Sequence, residues 1–548
     1  MTNVTEQNPG PPLMRLHPDD DCLVVIRPLR SGETVLVEGV SVQVEAGMPV
    51  GHKVASRFLA AGEPVRKCGA VIGRTKANVE VGSLLHLHNL ESNYLQAHLV
   101  GDADAGLAQL AAEGRAVAAS GKGTPPAVVA VMDGAEARRR AHEANQAQAV
   151  PGFVGYLRSD GRKGIRNHLL VVYLVECAHH VAREIANGFG GAENSVEVIG
   201  FPGCYPNEYA QRVLTALCTH PNVGGCLLVS LGCESFDRRA LKDAVEATGR
   251  WVESLVIQQE GGTVSTVNSG RALVETGLAQ IATVGRAPMT VAELVIGTIC
   301  GGSDSTSLLT ANPAVGRAFD RLVAAGARCI FEETGELIGC EEHLRSRATS
   351  PELGEELANR IVKASDYYEA LGHASIAPGN LAGGLTTIEE KSIGAYAKSG
   401  SSTISGVIEP GELPGAGGLY LLDVVPDGAP RFGYPNINDT TEVVELIACG
   451  SHVVLFTTGR GSVVGSVISP VVKICANPET YRRMSDDMDV NAGRVLLGDA
   501  SLDDVGDEIF DLVIATATGA PTRSEALGHR EFQLGYKVFR SLEPSCLA

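Results

Sequence analysis

The sequence Leu169-Leu-Val-Val-Tyr-Leu-Val175 is an uninterrupted apolar run, and the stretch Ala178 to Asn187 that follows it is amphipathic. A short apolar run without charged residues is typical of a strand that is buried on both faces of a sheet. A helix that covers such a strand has one apolar face and one polar face. One buried strand followed by one amphipathic helix therefore predicts an α/β unit with a parallel sheet.

The same alternation continues through the rest of the chain. The further predicted strands are Val196 to Phe201, Cys226 to Leu231, Leu294 to Ile299, Leu419 to Val425, Val453 to Thr457 and Leu512 to Ala515. The further predicted helices include Glu208 to Thr219, Arg238 to Thr248, Ala314 to Ala325 and Glu442 to Ala448. We therefore expect an α/β fold with mainly parallel sheets and flanking helices, whose ligands bind at the carboxyl ends of the strands.

Short β-branched runs and frequent glycines distinguish the N-terminal part of the chain. Runs such as Cys22-Leu-Val-Val-Ile26 and Thr34-Val-Leu-Val37 predict a small β-rich domain over residues 16–98. Residues 1–15, which are polar and rich in proline, predict a disordered tail. The Ala- and Gly-rich residues 99–150 predict a linker, and residues 151–548 predict the α/β body, as one or two subdomains.

The composition limits the compartment and the partners of the protein. Its 548 residues are 44% hydrophobic, which is enough for more than one core. The 64 acidic residues outnumber the 45 basic ones, and the net charge of -19 argues against nucleic-acid binding. The run Leu169 to Val175 is far shorter than the roughly 20 residues of a membrane-spanning helix. With no visible signal or transit peptide, we expect a cytoplasmic protein without membrane contact.

Three predicted strands end in a turn that contains both glycine and cysteine. These turns are Gly200-Phe-Pro-Gly-Cys204, Leu231-Gly-Cys-Glu234 and Thr298-Ile-Cys-Gly-Gly-Ser-Asp304. If they share one sheet edge, Cys204, Cys233 and Cys300 form a metal site, with Glu234 and Asp304 as further ligands or proton carriers. The thirteen cysteines form no compact disulfide framework, which favours reduced thiols. The alternative is that each cysteine is a small residue at a crowded turn.

Several motifs occur here in the same order as in the altronate and galactarate dehydratase family, which this chain resembles. They are Gly155-Tyr-Leu-Arg-Ser-Asp-Gly-Arg-Lys-Gly-Ile-Arg-Asn167, Leu231-Gly-Cys-Glu234, Cys300-Gly-Gly-Ser-Asp304, Pro378-Gly-Asn-Leu-Ala-Gly-Gly-Leu-Thr-Thr-Ile-Glu-Glu-Lys-Ser392, Phe456-Thr-Thr-Gly-Arg-Gly-Ser462 and Asp486-Asp-Met-Asp-Val-Asn-Ala-Gly493. The N-terminal segment, with Gly51-His-Lys-Val54 and His86-Leu-His-Asn89, resembles the small SAF domain of that family.

The resemblance implies a lyase that removes a β substituent from a small anionic 2-hydroxy acid and leaves a 2-oxo acid. It also implies a cofactor, which is iron, as Fe²⁺ or an iron–sulfur cluster, or another divalent cation. We expect a homo-oligomer. The predicted catalytic residues are His86, His88, Lys391, Glu234 and Asp304, and the predicted substrate-binding residues are Arg162, Arg166, Asn167, Arg460, Asn380 and Thr387.

Several of these residues also have an ordinary structural explanation. Lys391 follows two glutamates, as it would on a solvated helix face. His86 and His88 alternate along a predicted strand and would share one face, although a buried, hydrogen-bonded histidine is the commoner case.

The turn Gly200-Phe-Pro-Gly-Cys204 departs from the His-Gly-Ser/Thr-Gly-Cys turn of the sugar-acid enzymes, and this favours a shorter substrate. The preferred hypothesis is therefore a sulfo-lyase that converts (2R)-3-sulfolactate to sulfite and pyruvate. The alternatives are an altronate- or galactarate-type dehydratase and a non-catalytic metal- or anion-binding protein. A nicotinamide-dependent oxidoreductase is disfavoured, because no complete GxGxxG fingerprint follows an early strand.

Overall fold

Eight short strands form the N-terminal unit. The computed structural model describes residues 11–94, 134–147, 152–189, 195–430 and 437–539. The N-terminal strands are β1 (Leu13–Met14), β2 (Cys22–Val25), β3 (Thr34–Val37), β4 (Val40–Gln43), β5 (Lys53–Ala55), β6 (Pro64–Lys67), β7 (Ala70–Thr75) and β8 (Leu90–Glu91). They pair antiparallel in three small sheets, β1-β2-β5, β3-β4 and β6-β7-β8. This confirms the small β-rich domain.

A four-stranded parallel sheet organises the first part of the body. The chain runs through α1 (Gly134–Ala147), β9 (Phe153–Leu157), β10 (Lys163–Gly164), β11 (His168–Tyr173), α2 (His179–Ala186), β12 (Val196–Gly200), α3 (Glu208–Cys218), β13 (Val223–Ser230), α4 (Arg238–Glu246), β14 (Trp251–Val256), α5 (Ile257–Glu260), α6 (Thr263–Ile281) and β15 (Arg286–Met289). The parallel strand order is β12-β11-β13-β14. A separate antiparallel sheet has the order β10-β9-β15.

A seven-stranded parallel sheet organises the second part. Its strands are β16 (Val295–Cys300), β17 (Arg328–Phe331), β18 (Ile404–Ile408), β19 (Gly418–Leu422), β20 (Val453–Thr458), β21 (Val471–Cys475) and β22 (Val490–Asn491). Its helices are α7 (Ala311–Ala324), α8 (Glu341–Arg347), α9 (Pro351–Leu371), α10 (Pro378–Ala382), α11 (Ile388–Lys398), α12 (Asp439–Ala448), α13 (Pro478–Arg483), α14 (Arg494–Leu497), α15 (Leu502–Ala517) and α16 (Arg523–Leu527). The parallel sheets confirm the α/β prediction.

The strand order of this sheet, β18-β19-β17-β16-β20-β21-β22, reverses direction beside β16. After β16 the chain first builds β17, β18 and β19 on one side and then crosses to β20 on the other. A crevice therefore opens outside the carboxyl ends of β16 and β20, where ligands of open α/β sheets bind.

Alternate residues of the seven-stranded sheet pack into two different cores. Ile296 and Leu455 face a core with α7 and α15, whereas Ile299 and Phe456 belong to a second core, which contains α12, α3 and Leu228 of the four-stranded sheet. The side chains of successive strand residues point to opposite faces, so an apolar strand buries both. The two parallel sheets thus share the second of these cores.

Two local predictions differ from the structure. The predicted strand Leu512 to Ala515 is wrong, because these residues lie within α15. A short apolar run does not distinguish a strand from a buried helix, and the capping box of Ser501 and Asp504 begins this helix.

In the predicted linker, residues 134–147 form α1, and Arg140 pairs with Asp503 at 2.8 Å. Residues 99–133 and 148–150 of that linker, and residues 1–10 of the predicted tail, lie outside the described residues. No helix in the described ranges is long and apolar enough to cross a bilayer.

The small domain is attached to the body by a buried ion-pair triad. The ammonium groups of Lys53 and Lys67 lie 2.8 and 2.7 Å from the two carboxylate oxygens of Glu390, on α11. All three side chains are fully buried. Burial alone would raise the pKa of Glu390, but the two lysines lower it from 4.5 to about 2. Apolar residues of both parts, among them Ile72 and Ile393, pack together beside the triad.

Replacing Glu390 by Gln leaves two buried ammonium groups without their counter-ion. We expect the free energy of unfolding to fall by about 3–5 kcal/mol, the usual cost of removing one partner of a buried pair. Urea unfolding at neutral pH measures this change. The matched control is Glu369→Gln at an exposed position of α9, for which we expect a change below about 0.5 kcal/mol. Equal unfolding midpoints for the two variants would contradict the triad. In the native protein its contribution should be fully present above pH 4.5 and disappear as the pH falls towards 2.

Candidate active site

The polar loops of the seven-stranded sheet meet at its carboxyl edge. Residues 301–304 follow β16, residues 332–336 follow β17, and residues 459–461 follow β20. Because these strands are parallel neighbours, the loops emerge side by side in the crevice beside β16. The helix α11 contributes two lysines to the same place.

Cys300 forms the centre of a three-residue ligand cluster. Its sulfur lies 3.2 Å from Oε1 of Glu333 and 3.5 Å from Oε2 of Glu336. The Cys300 backbone N–H also donates to Glu333, at 3.2 Å. Within the described ranges this is the one group of three potential metal ligands whose atoms all lie within 4.8 Å of one another.

Two buried lysines pair with the carboxylates of this cluster. The Lys391 ammonium lies 2.5 Å from Glu336 and donates to the Ser375 carbonyl at 2.7 Å. Lys398 forms an ion pair with Glu333. Burial alone would lower the pKa of Lys391, but the charge of Glu336 raises it above its usual value. Lys391 is therefore a fixed positive charge at neutral pH.

Carboxyl groups nevertheless outnumber lysines here. Glu332 is fully buried, and neither of its carboxylate oxygens has a hydrogen-bond partner in the described chain. Burial, with Asp439 and Glu336 nearby, raises the pKa of Glu442 to about 8. A divalent cation would relieve this excess of acidic groups, and one thiolate with two carboxylates is a donor set suited to Fe²⁺ or a similar ion.

Asp304 and Asn380 shape the loop that follows β16. The buried Asp304 carboxylate accepts hydrogen bonds from the Thr306 N–H at 2.8 Å and from the Asn477 amide at 3.2 Å. Burial nevertheless raises its pKa. Asn380 donates to the Ser303 carbonyl at 2.8 Å. Gly459 is required because a Cβ there would clash with the Asp304 carboxylate.

Arg460 presents a cation at the crevice. Its backbone N–H donates to the Gly302 carbonyl at 2.9 Å, which fixes the loop after β20 against the loop after β16. Its side chain is exposed, and no hydrogen bond or ion pair joins its guanidinium to another described residue. A guanidinium held in this way is available to a carboxylate or sulfonate.

Two histidines of the small domain approach the same loops. Both ring nitrogens of His52 are buried without a hydrogen-bond partner among the described residues, and the ring lies against Gly384 and Ser305. Burial and the neighbouring His86 and Lys53 lower the pKa of His52 to about 3. The ring of His86 stacks 6.0 Å from that of His52, and its Nε2 lies 3.1 Å from the Leu381 carbonyl. Burial, with Lys53, lowers the pKa of His86 to about 4.

The structure does not bring the three predicted thiol ligands together. Cys204 and Cys233 are exposed and follow β12 and β13 of the four-stranded sheet, whereas Cys300 is buried and follows β16 of the other sheet. Glu234 lies beside Cys233, where its carboxylate accepts the Gly232 N–H at 2.8 Å. The three thiols therefore follow strands of two different sheets, and Cys204 and Cys233 are not members of the ligand cluster around Cys300. Sequence alone does not reveal which strands share a sheet.

Other predicted site residues close structural turns. Arg166 pairs with Glu525, and Asn167 bonds to Arg158 and to the Ile281 carbonyl. Thr387 caps α11 and donates to the Ile72 carbonyl at 2.6 Å. The polar groups of these three side chains therefore hold neighbouring segments of the chain in place.

Two more predicted residues lie away from the crevice. Arg162 bonds to Asp160 and to the Thr219 carbonyl, and it lines an open cleft of about 480 Å³ near the starts of β13 and β20, at the opposite sheet edge. His88 is exposed. It does not share a strand face with His86, because both lie in a turn before β8.

Glu333, Glu336 and Lys398 are site residues that we did not predict. The sequence did contain a signal for them, because three acidic residues directly follow a buried strand in Phe331-Glu-Glu-Thr-Gly-Glu336. Glu333 also has a left-handed backbone with φ of 77°, which is uncommon for a residue other than glycine and occurs often at functional sites.

Comparison with known proteins identifies three matching family models. The C-terminal model of D-galactarate/altronate dehydratase matches residues 291–539, the second-domain model of D-galactarate dehydratase/altronate hydrolase matches residues 155–282, and the altronate/galactarate dehydratase SAF-domain model matches residues 11–93.

Three relatives illustrate the range of similarity. The β subunit of (2R)-sulfolactate sulfo-lyase from Chromohalobacter salexigens is 34% identical over 397 residues, which cover 70% of this chain and 96% of that protein. The altronate dehydratase of Bacillus subtilis is 28% identical over 539 residues, 95% of this chain and 98% of that protein. The α subunit of the sulfo-lyase from Paracoccus pantotrophus is 42% identical over 48 residues, 9% of this chain and 72% of that protein.

The different surroundings of the cysteines predict different reactivity towards iodoacetamide. Burial raises the pKa of the Cys300 thiol and excludes the reagent, whereas Cys204 and Cys233 are exposed. In metal-free protein at pH 7.5 we expect Cys300 to be alkylated at least about tenfold more slowly, because a buried thiol is shielded from the reagent and the thiolate is the reacting form. Mass spectrometry of timed samples measures the rates, and urea-unfolded protein is the control. Equal rates in the folded protein would contradict this placement of Cys300.

Proposed function

Since the chain belongs to the altronate and galactarate dehydratase family, and is therefore an enzyme of the lyase class, we propose that it acts on a small anionic 2-hydroxy acid. It removes the substituent on the carbon adjacent to the hydroxyl-bearing carbon and leaves an enol, which becomes a 2-oxo acid. The observation that carries this proposal is the cluster of Cys300, Glu333 and Glu336 with Lys391, at the strand-order reversal of the parallel sheet.

The elimination needs a group that accepts the proton from the hydroxyl-bearing carbon. We assign this role to His52, whose ring lies against Gly384 and Ser305 and whose two ring nitrogens have no other described partner. His86 positions that ring by stacking on it, while its own Nε2 is directed to the Leu381 carbonyl. The small domain thus contributes to the active site.

Positive charge is required for the substrate carboxylate and for the enolate that forms. Arg460, at the rim of the crevice, binds the carboxylate with its free guanidinium. Lys391 remains charged beside Glu336 and stabilises the negative charge that develops in the transition state. Asp304 and Asn380 hold the intervening loop in place.

Cys300, Glu333 and Glu336 would hold the iron or other divalent cation that we propose as cofactor. When bound, such an ion supplies Lewis-acid polarisation of an oxygen ligand. Buried Glu332 lies beside this site, and burial together with the neighbouring Glu442 raises the pKa of its carboxyl well above the usual value.

For the substrate we propose (2R)-3-sulfolactate, with sulfite as the leaving group and pyruvate as the product. Two relatives support it, since one is the β subunit and the other the α subunit of a (2R)-sulfolactate sulfo-lyase. The second candidate is altronate, and the match of almost the whole chain to an altronate dehydratase favours it.

The two candidates differ in the product that leaves with the 2-oxo acid. We expect the anaerobically purified protein with added Fe²⁺ to release sulfite and pyruvate in equal amounts from sulfolactate. Sulfite and 2-oxo acid should be assayed separately on sulfolactate, altronate and galactarate. Formation of a 2-oxo acid from altronate or galactarate without activity on sulfolactate would select the dehydratase. No turnover of any of the three would contradict the proposed substrate class.

Replacing His52 by Gln tests the proton acceptor. Removing a positioned acid–base group lowers kcat by about 10²–10⁴-fold, and we expect a loss in this range with KM changed much less. The matched control is His88→Gln in the exposed turn of the same domain, which should keep wild-type kcat. Initial rates across the pH range separate this role from a structural one. If His52→Gln and His88→Gln have equal kcat, His52 is not the proton acceptor.

A further inference from the structure

Three exposed cysteines follow neighbouring strands at the carboxyl edge of the four-stranded sheet. Among the described cysteines, Cys177, Cys204 and Cys233 are exposed, whereas Cys68 is half-buried and the others are buried. Free cysteine is among the most frequently buried residue types, so three exposed thiols at one edge need an explanation. This edge belongs to a different sheet from the Cys300 cluster.

The register of the sheet places the three thiols at one level. Tyr173 of β11 is paired with Gly200 of β12 on one side and with Val229 of β13 on the other. Cys177, Cys204 and Cys233 each lie four residues beyond one member of this row. The three cysteines therefore leave adjacent parallel strands at equal distances along the chain.

Hydrogen bonds connect the three loops that carry them. The Glu176 N–H donates to the Pro202 carbonyl at 3.4 Å, which joins the Cys177 loop to the Cys204 loop. The Cys204 carbonyl accepts from the Ser235 N–H at 3.0 Å and from the Ser235 hydroxyl at 2.8 Å, which joins it to the Cys233 loop. The outer loops thus close over the end of the central strand β11.

The spacing of the sulfur atoms does not fit a single ion. Sulfur ligands of one tetrahedral ion, at about 2.3 Å from the metal, lie roughly 3.8 Å apart. These three thiols do not form a group within 4.8 Å of one another, so at least one pair is farther apart. An iron–sulfur cluster distributes its thiolates over several iron atoms and requires wider spacing.

We propose that Cys177, Cys204 and Cys233 bind a [4Fe–4S] cluster. Three irons take one thiolate each, and the fourth iron is left for water or an oxygen ligand from a small molecule. This site goes beyond the proposed function, because its three ligands are none of the residues of the Cys300 centre.

The test is the iron and acid-labile sulfide content of the whole protein, purified without oxygen from cells grown with added iron. We expect about four iron and about four sulfide per chain, besides any ion at the Cys300 centre, and a broad visible absorption that bleaches on reduction. In Cys177→Ser, Cys204→Ser and Cys233→Ser, sulfide should fall by at least about tenfold. Circular dichroism of each variant checks that the fold is kept.

Two further variants serve as controls. Cys68→Ser, at a half-buried thiol of the small domain, and Cys300→Ser, in the other sheet, should both keep the sulfide and the visible absorption. Wild-type protein without sulfide, or with a disulfide between two of the three cysteines, would overturn the proposal. So would sulfide that is retained in all three edge variants or lost equally in the two controls.

Discussion

The parallel arrangement of β16 between β17 and β20 is the constraint on which the active site depends. Residues as distant as Cys300, Glu336 and Arg460 emerge at the same edge because their strands run in the same direction and are adjacent. In an antiparallel sheet, alternate loops would emerge at the opposite edge. The reversal of strand order then separates the flanking helices and opens a crevice where these loops meet.

Inside that crevice, the balance between buried acids and buried lysines determines what the site can hold. Lys391 and Lys398 neutralise two carboxylates, while Glu332 remains buried without a described hydrogen-bond partner. A polar group buried without a hydrogen-bond partner is costly, and a protein that retains such a group has a compensating ligand or a chemical use for it. The same argument applies to His52, an imidazole that burial keeps neutral in a polar setting.

Local patterns in the sequence were sufficient to predict much of the architecture. Apolar runs marked the central strands, and Cys300, Asp304, Lys391 and Arg460 lie around the crevice. The contacts that each charged residue makes were not predictable. A charged motif residue looks the same in the sequence whether it binds substrate or closes a turn, as Arg166 does. Nor did the sequence reveal that Cys204 and Cys233 follow strands of the same sheet as Cys177, and Cys300 a strand of the other, since that depends on how the strands pair.

The triad of Lys53, Lys67 and Glu390 has a consequence for assembly. The two sulfolactate relatives are named as an α and a β subunit, which are separate chains. Here both halves belong to one polypeptide, and their effective concentration is set by the connecting segment and not by the amount of protein in solution. Dilution therefore leaves the two halves associated, and each body always has one copy of His52.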